Sequence, residues 1–248
     1  VTDTASTPPD KAAKASSFGS VADHYERFRP GPPTDAVDLG AGTGALTRLL
    51  IQRADEVVAV EPDDRMRDVL AAQVPGARAL KGTGEAMPLE DGTVDAVLAS
   101  SSWHWMDPIP AVIEMARIVV PGGILGALWT GPDPEGDFMQ QANALMAQDT
   151  VAAIRGDGNV PDPVLQIPPG LPFDEPEHEV FGWDIALKAD DLIGLLGTFS
   201  WIILMPEEER TRLKAEARRL LSEFLGVKDE VTVDVRYRCE AFRARRQG

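Results

Sequence analysis

Cysteine is almost missing from this chain: Cys239 is the single one in 248 residues. No internal disulfide can form, and no cysteine-built metal cluster can be assembled. Histidine is scarce, limited to His24, His104 and His178, so imidazole chemistry has few possible seats. No apolar run reaches the roughly 18 residues that a spanning helix needs. Positive charge is in deficit, with 24 Lys and Arg against 40 Asp and Glu and a formal net charge of −16. A surface of that sign repels phosphate backbones and anionic headgroups, so neither nucleic acid nor a membrane is expected as a partner. The opening residues lack the basic-then-apolar pattern of an export signal. The expectation is a cytoplasmic protein with one α/β domain, long enough to bury a sizeable core.

What the chain does contain is organised around Ala36-Val37-Asp38-Leu39-Gly40-Ala41-Gly42-Thr43-Gly44. A short apolar run reads as a buried strand and is broken by three alternating glycines. Leu46, Leu49, Leu50 and Ile51 then fall at roughly helical spacing, which predicts a helix within 43–53. Strand, glycine turn and helix make a nucleotide cradle, because glycine lets the backbone turn sharply and lets a ligand come close. Free N–H groups at the helix start face the same way. Gly40, Gly42 and Ala45 also fit the dinucleotide fingerprint. Asp38, at the strand's end, is placed where a carboxylate can face a cationic ligand group.

A second apolar run, Val57 to Val60, ends in Glu61-Pro62-Asp63. It lies about 20 residues past the turn, where a nucleotide-binding unit sets an acid on ribose hydroxyls. Glu61 is read in that role, with Asp63 or Asp64 as a helix cap. Met66 either packs near an adenine or belongs to the core. Strands are expected at 77–81, 93–99, 124–129, 179–187 and 231–237, the last extending to 242. Helices are expected at 110–120, where Pro121-Gly122-Gly123 is the stop, and at 138–155, 192–201 and 206–225. Residues 1–17 read as a disordered tail. Phe18, Val21, Ala22, Tyr25 and Phe28 suggest an amphipathic lid helix within 18–35. Tyr25 and Arg29 are four apart and face one way, so Arg29 either pairs with a ligand carboxylate or makes a surface ion pair. Residues 36–130 form the ligand-binding core, 131–230 a substrate cap, and 231–248 the last strand and tail. The proline-rich stretch at 156–177 is expected to cover a substrate pocket, and Arg243 to Arg246 to be solvated.

Taken together, these motifs resemble the class I S-adenosylmethionine (SAM) methyltransferase superfamily. Val37 to Gly44 resembles its first motif and Val58 to Pro62 its second. Gly82 to Leu89, Thr93 to Leu98, and Glu114 to Gly123 are similar to the later ones. The small-molecule branch, with ubiquinone-, biotin-pathway and trans-aconitate methyltransferases, is the nearest in flavour. The resemblance implies a Rossmann-like, doubly wound α/β fold with a seven-stranded sheet, its last strand antiparallel, a lid helix in front and helical elaboration behind. It implies SAM as cofactor. Gly40, Ala41 and Gly42 would line the methionine part and Asp38 would orient the amino group. Tyr25 or Arg29 would hold the carboxylate and Glu61 the ribose. Thr83, Gly84 and Glu85 would edge the adenine, with Pro62, Met66, Ser100 and Ser101 completing the site. Thr83 stands where many relatives carry Asp, so a backbone group or Glu85 is expected to replace that contact.

Methyl transfer chiefly requires alignment, and a base only when the acceptor must lose a proton. His104, between Trp103 and Trp105 in the loop after the fourth strand, is the candidate base, the alternative being that it packs or bonds the cofactor. The tryptophans are read as a pocket wall or as core. No Asn/Asp-Pro-Pro-Tyr/Phe and no Pro-Cys motif is present, which disfavours adenine, glutamine and cytosine acceptors. Asp190-Asp191 reads as a helix start rather than a metal site. A nicotinamide oxidoreductase sharing the glycine turn is disfavoured, since Tyr25 and Tyr237 are followed four residues later by Arg29 and Ala241, not Lys. A non-catalytic SAM-binding subunit is a third possibility. The expected partner is a small-molecule acceptor, and the protein a monomer or homodimer.

Overall fold

The computed structural model describes residues 35–140, 163–198, 202, 205–223 and 232–248. Its strands are β1 (Asp35–Leu39), β2 (Glu56–Val60), β3 (Arg78–Leu80), β4 (Val94–Ser100), β5 (Val119–Pro132), β6 (Glu177–Lys188) and β7 (Thr232–Arg245). They form one seven-stranded sheet in the order β3-β2-β1-β4-β5-β7-β6. The first five run parallel, and β7 is antiparallel to both β5 and β6. Strand order reverses between β1 and β4, the crevice where open α/β sheets bind ligands at the carboxyl ends of their strands. The helices are α1 (Thr47–Leu50), α2 (Asp64–Gln73), α3 (Pro108–Ile118), α4 (Ala189–Leu196) and α5 (Glu207–Glu223). Among the described residues no helix is long and apolar enough to cross a membrane.

Alternation along the strands sets two faces. Val37, Leu39, Val58, Val60, Val97, Ala99, Leu125 and Ala127 pack on one face with Met115 and Ile118 of α3. On the other, Ala59 meets Leu70 of α2, and farther along Val235 and Tyr237 meet Leu192, Ile193 and Leu221 from α4 and α5. Asp63 caps α2 by accepting from the Arg65 N–H at 2.8 Å. Asp107 caps α3 by accepting from the Ile109 N–H at 3.2 Å, with Pro108 at the first position.

Several elements differ from expectation. The helix after the glycine turn shrinks to the four residues of α1, and the residue it buries is Thr47, while Leu49 is exposed. The hydroxyl of Thr47 is claimed by Asp38, and that bond sets which way the helix faces. α3 ends at Ile118, before the expected stop, and Pro121-Gly122-Gly123 lies inside β5, where pairing jumps from Val94↔Val119 to Ala96↔Ile124. Its backbone is taken up by Arg246: Gly122 N–H donates to the Arg246 carbonyl and Arg246 N–H to that of Gly123, each at 2.8 Å. Arg243 and Arg245 therefore belong to β7 rather than to a solvated tail. The Arg245 and Arg246 guanidiniums donate to the carbonyls of Gly122 and Val119 at 2.6 and 2.7 Å. The helix expected at 192–201 starts earlier, at Ala189, with Asp190 and Asp191 in its first turn.

The described part of the proline-rich stretch, 163–176, sits at the amino end of the parallel strands, not over the glycine turn. Phe173 bridges to Arg246, Asp174 N–H donates to the Arg245 carbonyl, and Leu165 and Phe173 join the core. The expected tail, the lid helix with Tyr25 and Arg29, and most of the helix at 138–155 lie outside the described residues.

Candidate active site

The site grows from the carboxyl end of β1. Gly40, Gly42 and Gly44 all have φ in the left-handed region, at 67°, 56° and 89°. A Cβ on Gly40 would stand 2.5 Å from Cβ of Ser102, while one on Gly42 would meet only the Met66 sulfur, at 3.9 Å. Gly40 is thus closed by the protein and Gly42 is open, which is where a ligand can approach the backbone. The Gly40 and Ala41 N–H groups donate to the Val60 carbonyl at 2.8 and 3.1 Å, tying the turn to the tip of β2.

Glu61 follows at that tip and is buried. Its carboxylate accepts from the Gly42 N–H at 2.8 Å and from the Asp63 N–H at 2.9 Å. Arg67 donates to the Glu61 carbonyl at 2.9 Å. A carboxylate has about four lone-pair sites, so two remain for a ligand. Pro62 is exposed beside it, and Met66, for which core packing was the alternative, is 45% exposed over Gly42.

Asp38 is only 1% exposed. Its Oδ2 accepts from the Thr47 hydroxyl at 2.6 Å. Burial pushes its carboxyl up to about 6, the two Thr47 hydrogen bonds work against that, and the Glu61 charge adds to it. Through Thr47, Asp38 ties the end of β1 to the start of α1.

Across the crevice, Thr83 and Ala86 exchange backbone hydrogen bonds of 3.2 Å, forming a tight turn. Gly84 at its centre is buried, and a Cβ there would lie 2.5 Å from the Met106 sulfur. Glu85 accepts from the Asp107 N–H at 3.0 Å. Desolvation raises the Glu85 carboxyl, but the bonds from Asp107, Thr83 and its own N–H outweigh it and hold the group below the usual range. Arg117 underpins this segment from α3, donating to the Leu89 and Met87 carbonyls at 2.7 and 3.1 Å and pairing with Glu114 and Asp91.

Ser100 ends β4, and the Ser101 N–H donates to the Leu128 carbonyl at 2.7 Å. A 3₁₀ turn follows at Trp103–Trp105. Trp103 is core, 4% exposed, whereas Trp105 is 66% exposed. His104 is exposed, with its ring centroid 5.0 Å from that of Trp105. Partial desolvation holds its imidazole below the usual value. Among the described residues no carboxylate orients this ring, and no group of acids, histidines or cysteines could hold a metal ion.

Residues 37–127 match the family described as "Methyltransferase domain". An uncharacterized methyltransferase from Mycobacterium tuberculosis is 37% identical over 218 residues, which cover 83% of this chain and 86% of that protein. The chain belongs to the class I SAM-dependent methyltransferases. A methyltransferase-like relative from Schizosaccharomyces pombe is 28% identical over 212 residues, covering 85% and 82% of the two chains. A solved structure from Anaeromyxobacter dehalogenans, provisionally assigned as a type II methyltransferase, shares the fold with a TM-score of 0.58 at 22% identity over 98% of both chains.

In this methyltransferase the structure brings Gly40, Ala41, Gly42, Glu61 and Met66 around one crevice mouth. Two residues of the site were not anticipated. Thr47 holds Asp38, and Ser102, 6% exposed, donates from its hydroxyl to the Leu39 carbonyl at 2.6 Å. Three consecutive serines carry no periodic signal that would single out Ser102 over Ser100 and Ser101.

Proposed function

We propose that this enzyme moves a methyl group from SAM to a small-molecule acceptor bound beside the loop after β4. The observation that carries the reading is the Glu61 carboxylate, buried at the tip of β2 and held by the Gly42 and Asp63 N–H groups. Fixed from behind, its free lone pairs suit the paired hydroxyls of an adenosyl ribose. The open space at Gly42 suits the methionine portion, with Gly40 and Ala41 continuing that wall. Pro62 and Met66 would flank the adenine, Thr83, Gly84 and Glu85 would edge it, and Ser100 and Ser101 would close the far side.

SAM, when bound, supplies a methyl group already activated on a sulfonium. What remains for the chain is to align an acceptor atom and to exclude water. Trp105 offers an apolar surface for that purpose. His104 is neutral at neutral pH, so its free ring nitrogen can take a proton from an acceptor hydroxyl.

The test is calorimetric titration of the full chain with SAM, S-adenosylhomocysteine and NADH, alongside Glu61→Ala. SAM and its product are expected to bind, and to bind at least about tenfold more weakly in the variant, as loss of a charged hydrogen-bonding group predicts. Binding of NADH in their place would overturn the reading. Acceptor screening then follows with His104→Ala, where loss of turnover at unchanged SAM affinity marks the base.

A further inference from the structure

The loop that carries His104 and Trp105 is anchored at one point to the glycine turn. That point is Ser102. Its hydroxyl donates to the carbonyl of Leu39, the last residue of β1, at 2.6 Å. Its Cβ and Oγ fill the space in front of Gly40, lying 2.5 and 2.8 Å from where a Cβ on that glycine would stand. The Ser102 carbonyl in turn accepts from the Trp105 N–H at 3.1 Å and starts the 3₁₀ turn. The residue before it, Ser101, is the one non-glycine with φ in the left-handed region among the described residues, at 52°. Such a conformation is strained for a residue with a Cβ and persists where the surroundings enforce it. Here the enforcing contacts are the Ser101 N–H to Leu128 on one side and the Ser102 hydroxyl to Leu39 on the other.

We infer that Ser102 is a positioning residue: it sets where the His104–Trp105 rim stands relative to the glycine turn, so that ordering the turn by cofactor also orders the acceptor rim. This rests on the function proposed above and extends it. Glu61 and Gly42 meet on one side of the turn and Gly40 and Ser102 on the other. A ligand that fixes Glu61 and the turn backbone therefore fixes the Leu39 carbonyl, and through it the base of the rim. Ser102 itself is buried against Gly40.

The experiment is amide hydrogen exchange on the full chain, with and without S-adenosylhomocysteine, for wild type and Ser102→Ala. In wild type the ligand is expected to slow exchange at 40–44 and at 103–106 together. In Ser102→Ala the lost hydrogen bond is expected to lower stability while the ligand can still be brought to saturation. At saturation the slowing should persist at 40–44 and be lost at 103–106, while exchange in β5 matches wild type. Ser102→Cys, of similar size with a weaker donor, should fall between the two and serves if the alanine variant fails to fold. Full ligand-dependent slowing at 103–106 in a saturated variant overturns the inference. Wild type that binds no S-adenosylhomocysteine overturns the proposed function instead.

Discussion

Two carboxylates lie within the glycine turn's reach, and their surroundings give them opposite tasks. Glu61 is bonded by N–H groups and keeps lone pairs toward the crevice; Asp38 is bonded by Thr47 and turned inward. Glu61→Ala would leave the Gly42 and Asp63 donors without their acceptor, so a stability loss of about 1–3 kcal/mol is expected with the loss of cofactor affinity. Urea unfolding checks the first and calorimetry the second. For Asp38 the native carboxyl is raised to about 6 from an ordinary 3.8. The folded state therefore binds this proton more tightly than the unfolded state does. Below the unfolded value the group costs nothing; as pH rises through the folded value its burial as an anion costs up to about 3 kcal/mol. Asp38→Asn keeps an acceptor for Thr47 and removes the charge. Its stability relative to wild type should improve between pH 4.5 and pH 7.5, read as the difference in urea midpoints. An unchanged difference would mean that Asp38 does not titrate in that window.

Among the elements, two of the turn's three glycines have different jobs. Gly40→Ala sets a Cβ 2.5 Å from Ser102, whereas Gly42→Ala points into open space. Both pay the left-handed penalty of about 1–2 kcal/mol, so the melting temperature should fall further for Gly40→Ala. Cofactor binding should be lost in Gly42→Ala, because the Cβ there takes up ligand space. Near-wild-type affinity in Gly42→Ala would exclude that approach path. The segment after β3 depends on a remote residue, Arg117, whose guanidinium serves two carbonyls and two carboxylates. Arg117→Ala is expected to cost about 2 kcal/mol and to loosen 82–91, visible as faster amide exchange there. The strand–turn–helix order, the acid at the end of β2 and the cap at Asp63 were all legible because each is a local rule with a local cause, whereas the Asp107 cap, three residues before the expected helix start, was not read. Thr47 and Ser102 were not, because their partners lie 9 and 63 residues away.

At the scale of the molecule, the charge of −16 is a distributed self-repulsion. Raising salt from about 10 mM to 150 mM shortens the screening length from about 30 to 8 Å, so the melting temperature should rise over that range. A fall would mean that specific ion pairs such as Arg117–Glu114 outweigh the repulsion.

The fold class and the family resemblance could be read from residue order alone. Hydrophobic runs, glycine spacing and the acid about 20 residues on are short-range properties, and each one constrains the chain where it stands. The three-dimensional packing settled that Arg243 to Arg245 belong to β7 and that the 163–176 segment packs at the amino end of the parallel strands. It also settled that Asp38 bonds Thr47 and that the third of three serines, Ser102, meets Gly40. The physical reason is the same in each case. A backbone or side-chain polar group must find a partner when it is buried, and which partner it finds depends on what the fold brings beside it, not on its neighbours along the chain.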